Sequence, residues 1–158
     1  MNKDSYWTWL RFFAVVLIVV SPLGAVEDTI SIWKSFPPEI FRKIWEAYPL
    51  YTFSILLITL GSIFLTAYGL KVGFILWNKD STGKSEAQKY LILRLVINYI
   101  LILFSVIIVE TSLAPEDRQS NFENFGGTVV QPLLSETVFF TVWWLYFVKS
   151  KLVKRIYG

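Results

Sequence analysis

The sequence predicts an all-α membrane protein with four transmembrane helices and one short amphipathic helix outside the cytoplasm. Residues 47–70 hold no charged side chain, and a helix of that length can cross a hydrocarbon core of about 30 Å. The composition is 54% hydrophobic and 18% aromatic, with a mean hydropathy of +0.52. That is too apolar for a small water-soluble domain.

The chain of 158 residues is read as one membrane domain, with spans at about residues 6–26, 49–77, 89–110 and 129–148. In the first span, Pro22 is expected to kink the last turn. The second span carries small residues, among them Gly61, Gly69 and Gly73, that would let a neighbouring helix approach closely. Residues 78–89, rich in turn-forming and polar side chains, are expected to form the loop before the third span.

The amphipathic helix is predicted between the first two spans. Pro37 and Pro38 mark its start, and an apolar face follows at helical spacing, made of Ile40, Phe41, Ile44 and Trp45. Such a helix can lie in the headgroup plane of the bilayer. The alternative is that this face binds a partner protein.

The distribution of Lys and Arg predicts the orientation. With both termini and the loop between the second and third spans on one side, that side holds most of the basic residues. They are Lys3, Arg11, Lys71, Lys79, Lys84, Lys89, Arg94, Lys149, Lys151, Lys154 and Arg155, against Lys34, Arg42, Lys43 and Arg118 on the other. The positive-inside rule therefore places both termini in the cytoplasm. The net charge of +3 is explained by this topology, so no nucleic-acid partner is expected.

Arg94, Asn98 and Glu136 are predicted to form a polar cluster inside the bundle. Glu136 lies roughly 19 Å from Lys149 along its helix, and Asn98 roughly 13 Å from Lys89, which brings the two to similar depths. An Asn98–Glu136 hydrogen bond is expected if the third and fourth helices pack together. The cluster would either tie the two helices together, at about 0.6 kcal/mol per bond, or serve a proton or ligand. If the fourth helix begins only near Pro132, Glu136 is instead interfacial and no cluster forms. Alternatively, Arg94 can reach water by snorkelling, as can Arg11 and Glu110, because all three lie near helix ends.

Cysteine and histidine are both absent, which excludes thiol nucleophiles, histidine-based triads and Cys/His metal sites. No cofactor or metal site is therefore expected. An enzyme would depend on the carboxylates of the loop before the fourth span, Glu116, Asp117 and Glu123, which alone make a weak site. The chain is not expected to be an enzyme.

Two functional classes remain. The favoured one is an accessory, assembly or regulatory subunit that binds a larger membrane protein or complex. The alternative is a small oligomeric transporter with Glu136 as its coupling group, so a homo-oligomer stays open. It differs from small four-helix multidrug exporters, which need an acidic residue in the first span; here that span carries only Arg11. Membrane lipids are the other expected partner: the tail residues Lys149, Lys151, Lys154 and Arg155 should meet anionic headgroups, at about 1 kcal/mol each.

Both ends of the chain resemble a specific family. The opening WTWLRFFAVVLIVVSPLGAV and the closing TVWWLYFVKSKLVKRIYG are similar to the first and last spans of small four-span bacterial inner-membrane proteins classed as a domain of unknown function, the YdgK-like proteins. In the closing segment the similarity includes residues 150–154. The resemblance implies a location in the bacterial inner membrane, and it implies no activity or catalytic residue.

Overall fold

The computed structural model describes residues 3–35, 37–112 and 129–157. Nearly all of these residues are helical, and none of them forms a β-strand. The carboxylates considered for an enzyme site, at Glu116, Asp117 and Glu123, lie outside the described residues, as do Arg118 and the side chain of Glu110.

The described helices follow one another in a simple order. They are α1 (Lys3–Val15), a π-helical segment (Val16–Val20), α2 (Ser21–Ser35), α3 (Pro38–Ala47), α4 (Pro49–Trp77), α5 (Gly83–Ser112), α6 (Gln131–Lys149) and α7 (Lys151–Tyr157). We call the end of the bundle that carries the α4–α5 turn and α7 the tail end. The opposite end, which carries α3, is the α3 end.

Three helical stretches within the described residues are long and apolar enough to cross a membrane: Trp9–Ser31, Pro49–Trp77 and Gly83–Ile108. The all-α fold is therefore confirmed for the described residues, and the three apolar helices support a membrane protein. The fourth predicted span corresponds to α6, which is not among the three. Its 19 residues include Gln131, Ser135, Glu136 and Thr137 in the first two turns, and these lower its apolar character. The count of four spans stays a prediction.

The loop predicted over residues 78–89 is wrong in its second half, because α5 already begins at Gly83. Asp80 closes the turn within a few residues. Its carboxylate accepts hydrogen bonds from the backbone N–H and the hydroxyl of Thr82, both at 2.9 Å. Its carbonyl accepts one from the N–H of Gly83 at 2.9 Å. The next residues, KSEAQK, are mostly good helix formers and continue into the span.

The kink predicted at Pro22 takes the form of a π-helical segment. Proline has no N–H to donate to the carbonyl of Ile18, four residues earlier, and its ring crowds that carbonyl. Directly before it, the N–H of Ser21 bonds to the carbonyl of Val16, five residues back, which is the wider π spacing. Beyond this segment the helix continues to Ser35, past the predicted end of the first span at residue 26.

The glycines of α4 are used for packing inside the chain. A Cβ atom at Gly61 would stand 2.8 Å from Leu101 of α5, and one at Gly69 would stand 3.1 Å from the hydroxyl of Tyr90. Gly73 faces the other neighbour, the π-helical segment that follows α1. The prediction that small residues allow close helix approach is confirmed, and α4 lies between α1 and α5.

The tightly packed core lies at the tail end. Phe13 of α1 packs against Trp143 and Phe147 of α6, with ring centroids 4.2 Å and 5.4 Å apart. Around these rings lies one cluster of buried side chains from five helices, with members Leu10, Ala14, Leu17, Val72, Leu76, Ala87, Tyr90, Leu91 and Val153. Bulky aromatic rings thus connect α1 to α6, and both helices are joined to the rest through α4 and α5.

Candidate functional site

An ion pair joins α5 to α6 inside the bundle. The guanidinium of Arg94 donates two hydrogen bonds to the carboxylate of Glu136, from Nε at 2.9 Å and from Nη2 at 2.6 Å. The two oxygens are each engaged by a separate nitrogen, which is the strong fork-to-fork geometry of an arginine–carboxylate pair. The side chains retain 22% and 16% of their exposure, so the pair is largely but not fully enclosed.

Two aromatic residues complete the surroundings of Arg94. Nη1 donates a hydrogen bond to the hydroxyl of Tyr90 at 3.5 Å, one turn earlier on the same helix. The guanidinium carbon also lies 4.3 Å from the ring centroid of Phe139, within the range of a cation–π contact. The Arg94 guanidinium therefore contacts Glu136, Tyr90 and Phe139 at the same time.

The ion pair lies deep in the membrane-length part of α5. Arg94 is eleven residues beyond the start of the helix at Gly83, which corresponds to about 16 Å at 1.5 Å per residue. Charges at such a depth are costly unless they are paired. The ion pair has no net charge and joins α5 to α6. Each carboxylate oxygen of Glu136 accepts a hydrogen bond from Arg94.

Asn98 does not take the place that the sequence suggested. The structure shows no hydrogen bond between its amide and either Arg94 or Glu136, and the predicted Asn98–Glu136 bond is wrong. The physical reason is side-chain length. The long side chain of Arg94 spans the distance to α6, whereas the shorter side chain of Asn98, one turn further along α5, does not. Asn98 is half-buried on the same face of α5.

A second polar group, not predicted from the sequence, lies at the tail end, where α4 and α5 meet. Glu86 accepts hydrogen bonds from the hydroxyl of Tyr68 at 3.2 Å and from Lys89 at 2.9 Å. Lys71 lies 3.9 Å from the same carboxylate. The sequence signal was the four-residue spacing of Glu86, Tyr90, Arg94 and Asn98, which places them along one face of α5.

The amphipathic helix is present as α3, and its apolar face is divided. Phe41 and Ile44 are half-buried, and the Phe41 ring lies 5.4 Å from that of Trp33 at the end of α2. Ile40 and Trp45 point away and remain 46% and 45% exposed. Thus the middle of the predicted face anchors α3 to the bundle, and the two residues at its edges stay exposed.

The basic tail residues are displayed on α7 and at the end of α6. Lys149, Lys151, Lys154 and Arg155 are all exposed, while Val153 is fully buried. Tyr157 donates a hydrogen bond to the carbonyl of Leu76 at 3.4 Å and packs against Gly83. Its burial raises the pKa of the Tyr157 hydroxyl to about 12. At the neighbouring turn, the N–H of Thr82 lowers the pKa of the Asp80 carboxyl.

Comparison of the chain with protein-family models, with curated proteins and with solved structures gives no match. The resemblance to the YdgK-like proteins therefore stays a prediction.

Proposed function

We propose that this chain is a non-enzymatic accessory, assembly or regulatory subunit of a larger membrane protein or complex. The observation that carries the proposal is the pair of exposed apolar side chains on α3. Ile40 and Trp45, at the two edges of the apolar face, stand 46% and 45% exposed on a helix outside the three membrane-length stretches. Tryptophan is among the residues enriched at the energetic centres of protein interfaces.

The internal glycines limit where a partner can bind. Gly61, Gly69 and Gly73 already contact side chains of this chain, so these three glycines are not open to another helix. This leaves α3 as the surface that best supports recognition outside the bilayer.

We propose further that α6 is a fourth span. It lies alongside the membrane-length helix α5, to which it is joined by the Arg94–Glu136 pair and by a 2.6 Å hydrogen bond between the hydroxyls of Tyr99 and Thr137. With four spans both termini lie at the tail end. The exposed cations there support a cytoplasmic tail end by the positive-inside rule, and they are Arg11, Lys71, Lys79, Lys89, Lys149, Lys151, Lys154 and Arg155. The family resemblance supports the bacterial inner membrane.

The exposed cations of the tail support contact with anionic lipid headgroups. Val153 and Tyr157 hold α7 against the α4–α5 turn. As a result, Lys151, Lys154 and Arg155 are presented together at the level where a cytoplasmic leaflet would meet the bundle.

A transporter that uses Glu136 as its coupling group has less support. A coupling carboxylate must exchange its proton or substrate, whereas both oxygens of Glu136 accept hydrogen bonds from Arg94. Releasing Glu136 would leave an unpaired arginine at membrane depth.

The test is purification of the tagged full chain in a mild detergent, followed by quantitative mass spectrometry. We expect one membrane complex in a fixed stoichiometry, and its loss from the double variant Ile40→Ser/Trp45→Ser. Lys43→Gln, on the charged side of the same helix, is the matched control and should retain the complex. A homo-oligomer alone, unchanged by the double variant, would contradict the proposal and favour a transporter.

A further inference from the structure

The outward side of α2 carries an open groove. Its volume is about 510 Å³, and it runs along one face of the helix, lined by Leu23, Val26, Glu27, Ile30, Ser31 and Lys34. Ala25 and Thr29 are each two residues from Glu27, a rotation of about 200° around the helix. Both are half-buried, and α2 packs against α4. The groove therefore faces the surroundings of the protein and not the bundle.

The groove lies at the level where lipid headgroups meet the protein. Glu27 comes eighteen residues after Trp9, the first residue of the same membrane-length stretch, which corresponds to about 27 Å along the helix. The hydrocarbon core of a bilayer is about 30 Å thick. Leu23 and Val26, 65% and 57% exposed, thus border the acyl chains of the leaflet at the α3 end. Glu27 and Lys34 lie among the headgroups of that leaflet.

Two opposite charges stand in the groove without neutralising each other. Glu27 and Lys34 are both exposed, and neither forms an ion pair with any other described side chain. They share one face of α2 but are seven residues apart, a rise of about 10 Å. Helical side chains lean toward the N-terminus of their helix, so Lys34 leans back toward Glu27. A carboxylate at the edge of the hydrocarbon core is costly without a cation.

We propose that this groove binds a phospholipid with an ethanolamine headgroup. That headgroup holds a primary ammonium close to a phosphate. The ammonium donates a charge-assisted hydrogen bond to Glu27, the phosphate accepts one from Lys34, and an acyl chain covers Leu23 and Val26. A choline headgroup has no N–H to donate, and an anionic headgroup without an ammonium is repelled by Glu27. The site goes beyond the proposed accessory function and needs only that the stretch Trp9–Ser31 crosses the bilayer.

The test is native mass spectrometry of the full chain in detergent. The chain is mixed with synthetic phospholipids that share the same acyl chains and carry ethanolamine, choline or glycerol headgroups. We expect one ethanolamine lipid per chain, retained about tenfold more strongly than the choline lipid, because a charge-assisted hydrogen bond distinguishes the two.

Two variants separate the roles of the two charges. Glu27→Gln should lower retention of the ethanolamine lipid to the level of the choline lipid and leave the choline lipid unchanged. Lys34→Gln should lower retention of both, because both carry the phosphate. The matched controls are Glu39→Gln and Lys43→Gln, which change exposed charges of α3 outside the groove. Both should retain the ethanolamine lipid as the wild type does.

Three results would overturn the proposal. Equal retention of the three lipids by the wild type would mean that the headgroup is not recognised. Unchanged retention in Glu27→Gln and Lys34→Gln would mean that the lipid binds elsewhere. A co-purified protein that is lost from Glu27→Gln, with no lipid retained by the wild type, would mean that a partner protein covers this face. The complex sensitive to Ile40→Ser/Trp45→Ser is measured separately, so failure of the lipid site would leave the proposed accessory function untouched.

Discussion

Gly73 of α4 lies so close to the first helix that a Cβ atom there would stand 3.3 Å from the carbonyl oxygen of Ala14. The same atom would meet Ile18 at 2.6 Å and Leu17 at 3.2 Å. Because one of these neighbours is backbone and another is a Cβ atom, they cannot turn aside. The helices themselves would have to move apart.

We therefore expect Gly73→Ala to destabilise the protein by about 1–3 kcal/mol, the usual cost of overpacking. The measurement is the midpoint temperature of thermal unfolding in detergent, with tryptophan fluorescence as the readout. Gly24→Ala is the matched control: its Cβ has open space, and replacing a helical glycine there should be neutral or stabilise by about 0.5–1 kcal/mol. Equal effects of the two substitutions would contradict the observed helix contact.

The Arg94–Glu136 pair predicts a non-additive mutant cycle. Arg94→Met and Glu136→Met should each cost about 1–3 kcal/mol, because each leaves one charged group without its counter-charge in the bundle. The double variant Arg94→Met/Glu136→Met should recover most of this loss, since apolar replacements of a buried ion pair are often neutral.

Glu46→Gln is the control for the pair. Its partner Arg42 is 82% exposed, so breaking this surface ion pair should change stability by about 0–1 kcal/mol. The energies come from unfolding in detergent. Additive losses in the double variant would show that the two side chains are not coupled.

The attachment of the tail should weaken in alkaline solution. The docked Tyr157 has a pKa raised to about 12 from the ordinary value of 10.0, because burial disfavours the phenolate. Docking is therefore fully stabilised below pH of about 10 and loses that stabilisation as the pH rises through about 12. The measurement is tyrosinate absorbance, taken as the difference between the wild type and Tyr157→Phe. A transition near the ordinary value would mean that the tail is undocked.

Gly83 should control how tightly α7 is held. A Cβ atom at this position would stand 2.8 Å from the Tyr157 ring, so Gly83→Ala should push the ring out of its site. A cost of about 1 kcal/mol would raise the population of the detached tail about fivefold. Trypsin cleavage after Lys154 and Arg155 should accelerate accordingly. The exposed neighbour Ser85 provides the control variant, Ser85→Ala, which should be cleaved at the wild-type rate.

Several features could be predicted from sequence because their causes are local. The apolar run that became α4 was predicted from Pro49 to Trp77, as observed, since Pro49 starts the helix and the turn after Trp77 ends it. The apolar face of α3 was predicted from helical spacing. The loop before α5 was predicted too long, because a single side chain, Asp80, closes the turn early.

The contacts of the polar cluster could not be predicted from the sequence. Counting residues along each helix placed Arg94, Asn98 and Glu136 at similar depths, but it does not give the rotation of each helix or the distance that each side chain must span. Only the packing of α5 against α6 decided that Arg94 makes both bonds to Glu136 and that Asn98 makes none. The contact of Tyr157 with the distant Leu76 carbonyl was likewise invisible along the chain.

By itself, the sequence determined that the long segments suit lipid and that they are helical. Long uncharged apolar segments can form all their backbone hydrogen bonds in lipid only as helices. It also determined the absence of thiol and imidazole chemistry. The tertiary structure alone decided which side chains meet, where the bundle is tight and which apolar residues of α3 stay exposed. The reason is that hydrophobicity favours burial without direction, whereas contacts depend on the rotation and spacing of neighbouring helices.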